Sequence, residues 1–167
     1  MSLPLPSQIR ILLLGAWLGA AVYFSAVIAP SVFGVLRSFN LPNANEIAGT
    51  IVTRTLSVVN TSGFVISLLL LVSTLVFRKN YGRVAFFLQS ALLTIVAITT
   101  GVGEWVIAAK MRGLRAAMHG QIDQVALTDP SRLAFAMLHR YSVAALGIAI
   151  IAGLIAFFVM SSRFKTD

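Results

Sequence analysis

Residues 141–162, YSVAALGIAIIAGLIAFFVMSS, run for 22 positions without a charge. A helix needs about 20 apolar residues to cross about 30 Å of hydrocarbon, so this stretch is long enough to span a bilayer. Three more uncharged runs lie upstream: 11–36 (26 residues), 55–77 (23) and 84–103 (20). Lipid offers no hydrogen bonds to a backbone, and runs of this length satisfy their own peptide groups as helices. The expected fold is all-α: an integral membrane four-helix bundle, one four-span domain over residues 1–167.

Composition agrees. The chain is 58% hydrophobic and 11% charged, against roughly half and a quarter for soluble domains. The net charge of +8 does not point to nucleic acid, because the basic residues flank the apolar runs instead of lining one polar face. There is no cysteine, which excludes disulfides, thiolate chemistry and Cys-based zinc sites. The first run exceeds the ~7–15 residue core of a signal peptide and is read as a retained span, although SAVIAP at its end offers an Ala-rich cleavage site.

An even number of spans puts both termini and the 78–83 loop on one side. That side carries Arg10, Arg78, Lys79, Arg83, Arg163 and Lys165; the other carries Arg37, Arg54, Lys110, Arg112, Arg115, Arg132 and Arg140. The counts are close, but the first group is packed nearer the span ends. The positive-inside rule therefore predicts cytoplasmic termini.

Helix signals continue past the apolar runs. Asn43 after Pro42, with Glu46 three residues on, resembles a capping box; Asp129 before Pro130 is a second start signal. Helices over about 44–78, 82–119 and 130–163 would each approach 50 Å, longer than the hydrocarbon is thick, with the excess on the side opposite the termini. Pro30 should kink helix one or end its regular part. Gly15 and Gly19, and Ala145, Ala149 and Gly153 at four-residue spacing, predict close helix contacts inside the bundle in preference to a dimer interface.

Folding the spans back through their loops brings Arg54, Glu104, His139 and Arg140 into one interfacial polar layer opposite the termini. Glu104 is the acid that directly abuts an apolar span. Ionisable groups at membrane depth are costly and mark functional sites. Three readings stand open: a structural ion pair of Glu104 with Arg54 or Arg140, a ligand or proton site, or a lipid-headgroup contact. His139 is an interfacial histidine bonded within the bundle or a group titrating near neutral pH.

Gln89, Ser90, Thr94, Thr99 and Thr100, with Ser57, Asn60, Thr61 and Ser67, form polar stripes that would serve a transport path or, more commonly, interhelical hydrogen bonds. Met111, Met118, His119, Met137 and His139 are the candidates for a soft-metal site, although Met also fills irregular helix contacts, and a metal is not the favoured reading. His119 and His139 lie several turns apart in height, which argues against a shared haem iron, and no cofactor is implied. The basic segment 110–121, KMRGLRAAMHGQ, would meet anionic headgroups or continue helix three into water. No nucleophile–His–acid set, phosphate loop or HExxH occurs, so an enzyme is not the favoured class.

Three stretches, WLGAAVYFSAVIAPSVF (17–33), EIAGTIVTR (46–54) and LHRYSV (138–143), resemble the transmembrane-protein-205-like family of small four-span proteins, a domain of unknown function common in bacteria. The resemblance singles out Trp17, Gly19, Pro30, Phe33, Gly49, His139 and Ser142. It implies a multi-pass protein of a bacterial inner membrane and supplies no reaction. The functional expectation is a non-enzymatic membrane protein that binds a partner, lipid or small ligand through the polar layer. The alternative is a small transporter or soft-metal-handling protein. The lipid bilayer is the expected partner, with a protein partner or homo-oligomer as a further possibility and no nucleic acid.

Overall fold

The structure is a computed structural model and describes residues 5–118, 120 and 122–162. The first span consists of α1 (Leu5–Tyr23), a π-turn (Phe24–Ile28) and α2 (Ala29–Ser38). α3 (Ala44–Val76) is the second. A 3-10 turn (Arg78–Asn80) leads to the third, built from α4 (Arg83–Gly101), a π-turn (Val102–Ala108) and α5 (Ala109–Ala117). α6 (Pro130–Ser162) is the fourth. The four continuous helices cover 32, 33, 35 and 33 residues. At 1.5 Å per residue each is about 50 Å long, well past the ~30 Å of a bilayer core. The chain is therefore an all-α four-helix bundle whose helices outlast the membrane. α1 packs on α3 and α6, and α4 packs on the same two, which gives a square with successive spans antiparallel.

Local chemistry sets the breaks. Proline lacks an N–H and its ring clashes with the carbonyl one turn back. The helix meets this at Pro30 by widening first: the Ala29 N–H donates to Phe24 O, a π-type bond, and regular helix resumes with proline in its first turn. Asn40, in the left-handed region at φ 51, closes α2, a conformation that asparagine tolerates better than most residues.

The helix starts divide. At α6, Asp129 Oδ1 accepts from the N–H of Ser131 (2.8 Å) and Arg132 (3.3 Å), as an N-cap should. At α3, Asn43 occupies the cap position but makes no side-chain cap bond. The carboxylate of Asp123, from the loop before α6, takes over and accepts from the Glu46 N–H at 3.2 Å and from Asn45 Nδ2 at 2.6 Å. The expected capping box is replaced by a cap from a distant segment, and Glu46 is released for other partners.

The core is a column of Leu14, Trp17, Leu70, Leu93, Val96 and Ala149. Trp17 is its tightest point. Its indole Nε1 donates to Val59 O at 3.0 Å, and its ring lies against two glycines, Gly63 of α3 and Gly153 of α6. Gly15 meets the Phe157 ring, whereas Gly19 faces open space. The glycine pair of helix one therefore divides between an internal contact and the outer surface. Val58, Leu69, Val72, Ile98, Ile151 and Phe158 point outward and exposed, as they must where lipid replaces water.

Candidate functional site

Glu104 lies in the π-turn Val102–Ala108 at the cap-side end of the third span. Single π-turns inside α-helices recur at functional sites. Gly103, beside Glu104, lets the helix approach α3 so closely that a Cβ there would lie 3.1 Å from Asn60 Nδ2. The Glu104 side chain is 9% exposed. Ser57 Oγ donates to its Oε1 at 2.9 Å, and Arg112 Nη1 stands 3.5 Å from the same oxygen. Oε2 is buried and has no hydrogen-bond partner among the described residues. A buried acceptor left without a donor costs roughly 1–3 kcal/mol, more when charged.

The other residues of the expected layer sit differently. Arg54, His139 and Arg140 are exposed, and neither a hydrogen bond nor an ion pair joins them to Glu104 among the described residues; the carboxylate uses Ser57 and Arg112 in place of Arg54 or Arg140. Trp17 touches Gly63 and Gly153 at once, so those two glycines share a height. Counting back at 1.5 Å per residue puts Arg54 roughly 13 Å and His139 roughly 21 Å toward the cap from that level. His139 and Arg140 therefore stand one to two turns above Arg54.

Among the Met and His candidates, Met118 is buried, Met111 is half-buried, Met137 and His139 are exposed, and His119 falls outside the described residues. No group of three or more His, Asp or Glu side chains is placed to hold a metal ion among the described residues. Of the resemblance positions, Trp17 and Ser142 are buried, Phe33 and Gly49 half-buried, and Gly19 and Pro30 exposed. The Arg37 guanidinium lies 5.6 Å from the Phe33 ring centre.

Most hydroxyls of the polar stripes turn back on their own helices. Thr94 donates to Ser90 O, Thr99 to Ile95 O, Thr100 to Val96 O and Ser67 to Phe64 O. Such bonds satisfy the group without lining a path.

Two polar clusters were not anticipated. In the cap, Arg115 Nε reaches both Glu46 oxygens at 2.9 Å and its Nη2 lies 2.7 Å from Oε2, while the Ile122 N–H donates to Glu46 at 3.1 Å. Arg115 Nη1 also donates to Gly120 O, and Arg37 Nε donates to Asn45 Oδ1 at 3.1 Å. These bonds join the first three spans to the loop before α6. At the opposite end, Arg10 is buried and its Nη2 donates to Thr74 Oγ1 at 2.6 Å; Gln89 Nε2 approaches the same hydroxyl at 3.4 Å. Arg10 reads in sequence as a flanking charge, and only Gln89, an amide inside an apolar run, hinted at this cluster.

Four membrane-length helices with an apolar outer face and charges at the two ends define a multi-pass integral membrane protein. Its family is also clear. The chain belongs to the family described as Domain of unknown function (DUF4149), whose profile matches residues 12–120. The match covers the first three spans, includes the stretches 17–33 and 46–54, and ends before α6. Searches of the curated proteins and of the solved structures returned no match.

Proposed function

We propose that this chain is a non-enzymatic protein of a bacterial inner membrane, akin to the transmembrane-protein-205-like family, with both termini cytoplasmic. It binds a partner, lipid or small ligand through the polar layer centred on Glu104, with Arg54, His139 and Arg140 on its rim. One observation carries this reading: Glu104 is buried at the cap-side end of a span, in a π-turn, with Oε2 lacking a donor among the described residues. Gln89 Oε1 and Ser90 Oγ are also buried without a partner among the described residues, but Glu104 Oε2 belongs to a carboxylate, and a purely structural carboxylate would be expected to have both oxygens satisfied. A ligand that brings a hydrogen-bond donor or a positive charge would complete it, and Ser57 and Arg112 would hold the carboxylate in place.

Native mass spectrometry in a mild detergent tests this. The expected result is a stoichiometric added mass on the parent that falls at least several-fold in Glu104→Gln and in Ser57→Ala. A parent that flies bare, or one whose added masses are all kept in both variants, overturns the reading.

A further inference from the structure

Beside Glu104, on the lipid-facing side, α3 and the third span leave an open groove of about 480 Å³. Phe64, Leu68, Ile98, Gly101, Val102 and Trp105 form its walls. Gly101 makes room for the Phe64 ring, which stands edge-on to Trp105 at 4.7 Å. The groove extends from Trp105 down to Thr94, eleven residues or roughly 16 Å of helix, about half the ~30 Å hydrocarbon core and so the depth of one leaflet. Trp105, 52% exposed, marks its mouth at the level where tryptophan favours the headgroup boundary.

Charge decides the occupant. Gly103 against Asn60 and Gly101 against Phe64 set the register of the two helices, which places Arg54 level with about Lys110, one to two turns above Trp105. Both cations are exposed, and Arg54 continues the helical stripe of Phe64 and Leu68 at three- and four-residue spacing. The described acids are engaged elsewhere: Glu46 with Arg115, Glu104 with Arg112, Asp123 at the start of α3 and Asp129 at the start of α6. Two like charges thus stand at the height of the groove's cap end, and the nearest carboxylate, Glu104, is turned into the bundle toward Ser57 and Arg112.

We infer that this groove holds one acyl chain of an anionic phospholipid whose phosphate sits on Arg54 and Lys110. The inference deepens the proposed reading, with which it shares Arg54, by naming a lipid for the outer face of the same layer.

The chain has two tryptophans, and Trp17 is buried, so fluorescence quenching by acyl-brominated lipid reports chiefly on Trp105. In phosphatidylcholine vesicles, brominated phosphatidylglycerol should quench at a several-fold lower mole fraction than brominated phosphatidylcholine, on the order of five-fold for each cation engaged. Trp105→Phe supplies the Trp17 baseline. The double variant Arg54→Gln/Lys110→Gln should quench equally with both lipids, while Lys79→Gln/Arg83→Gln, at the other end of the bundle, keeps the preference. Equal quenching of the parent, or a preference that survives Arg54→Gln/Lys110→Gln, overturns the inference. Weak quenching of Trp105 by either lipid also overturns it, since a second copy or another protein would then cover the groove. Any of these results leaves the Glu104 reading to its own mass measurement, and failure there leaves the quenching preference standing.

Discussion

Gly63→Ala should destabilise the bundle, although alanine is the better helix former. A Cβ at this position would lie 2.6 Å from Trp17 Nε1, 2.7 Å from Cε2 and 2.9 Å from Cζ2. Non-bonded heavy atoms are most stable at ~3.5–4.0 Å, so the indole must retreat by about 1 Å. It has little room, because Gly153 of α6 closes the far side and a Cβ there would lie 2.9 Å from Cζ3. Overpacking of this kind costs about 1–3 kcal/mol. Displacing the ring also weakens the bond from Nε1 to Val59 O, about 1 kcal/mol. The helix-propensity gain returns up to ~1 kcal/mol. The net expectation is a loss of about 1–3 kcal/mol, measured by unfolding in mixed detergent–SDS micelles. Combining it with Trp17→Leu, which removes all three clashing atoms, should make the alanine neutral or favourable. The two changes are therefore strongly coupled. If the penalties of Gly63→Ala and Trp17→Leu simply add, the indole is not what the glycine makes room for, and this account of the core is wrong.

Other expectations follow from single contacts. Thr74→Val removes the acceptor used by Arg10 and approached by Gln89 and should cost about 1–3 kcal/mol in the same unfolding assay. Asp129→Ala should cost about 1 kcal/mol, with faster amide exchange at Ser131 and Arg132, whose N–H groups it accepts. Glu46→Gln loses a charge-assisted pair whose side chains are about a quarter exposed, so its cost should stay near ~1 kcal/mol. Its clearer sign would be faster proteolysis between residues 118 and 129, and unchanged cleavage would count against the cap network as the tie that holds this loop.

Uncharged run length was enough to reveal the four spans, because lipid leaves the backbone few alternatives. The overhang was also legible, since Asp129–Pro130 carries its own start signal within a few residues. The start of α3 was not: the residue that caps it, Asp123, lies 77 positions from Glu46, and no local pattern announces a partner so distant. Glu104 stood out as an acid against an apolar run. Its partner Arg112 did not, because antiparallel folding of the spans suggests partners on neighbouring helices, whereas the contact forms along one helix that is widened by a π-turn. Arg10 was hidden by its position. A cation at the start of a span looks like a membrane flank, and only the fold shows that Thr74 and Gln89 converge on it.

The two polar ends lie far apart. Gln89 and Glu104 share one continuous helix and are fifteen residues apart, roughly 22 Å. Between them the bundle axis is filled by Leu14, Trp17, Leu70, Leu93 and Val96, all at most 3% exposed. A transport path would have to pass this plug. Trp17→Ala is therefore informative in a way that Glu104→Gln is not. The space it opens is bounded by Gly63, Gly153 and the Val59 carbonyl within an apolar core, and a cavity so largely apolar stays dry. Liposomes carrying Trp17→Ala should hold a proton or potassium gradient as long as the parent does, even if the variant is several kcal/mol less stable, as large-to-small core changes are. A leak seen in Trp17→Ala and absent from the parent would mean that the Arg10–Gln89 cluster and the Glu104 layer are the two mouths of one gated path.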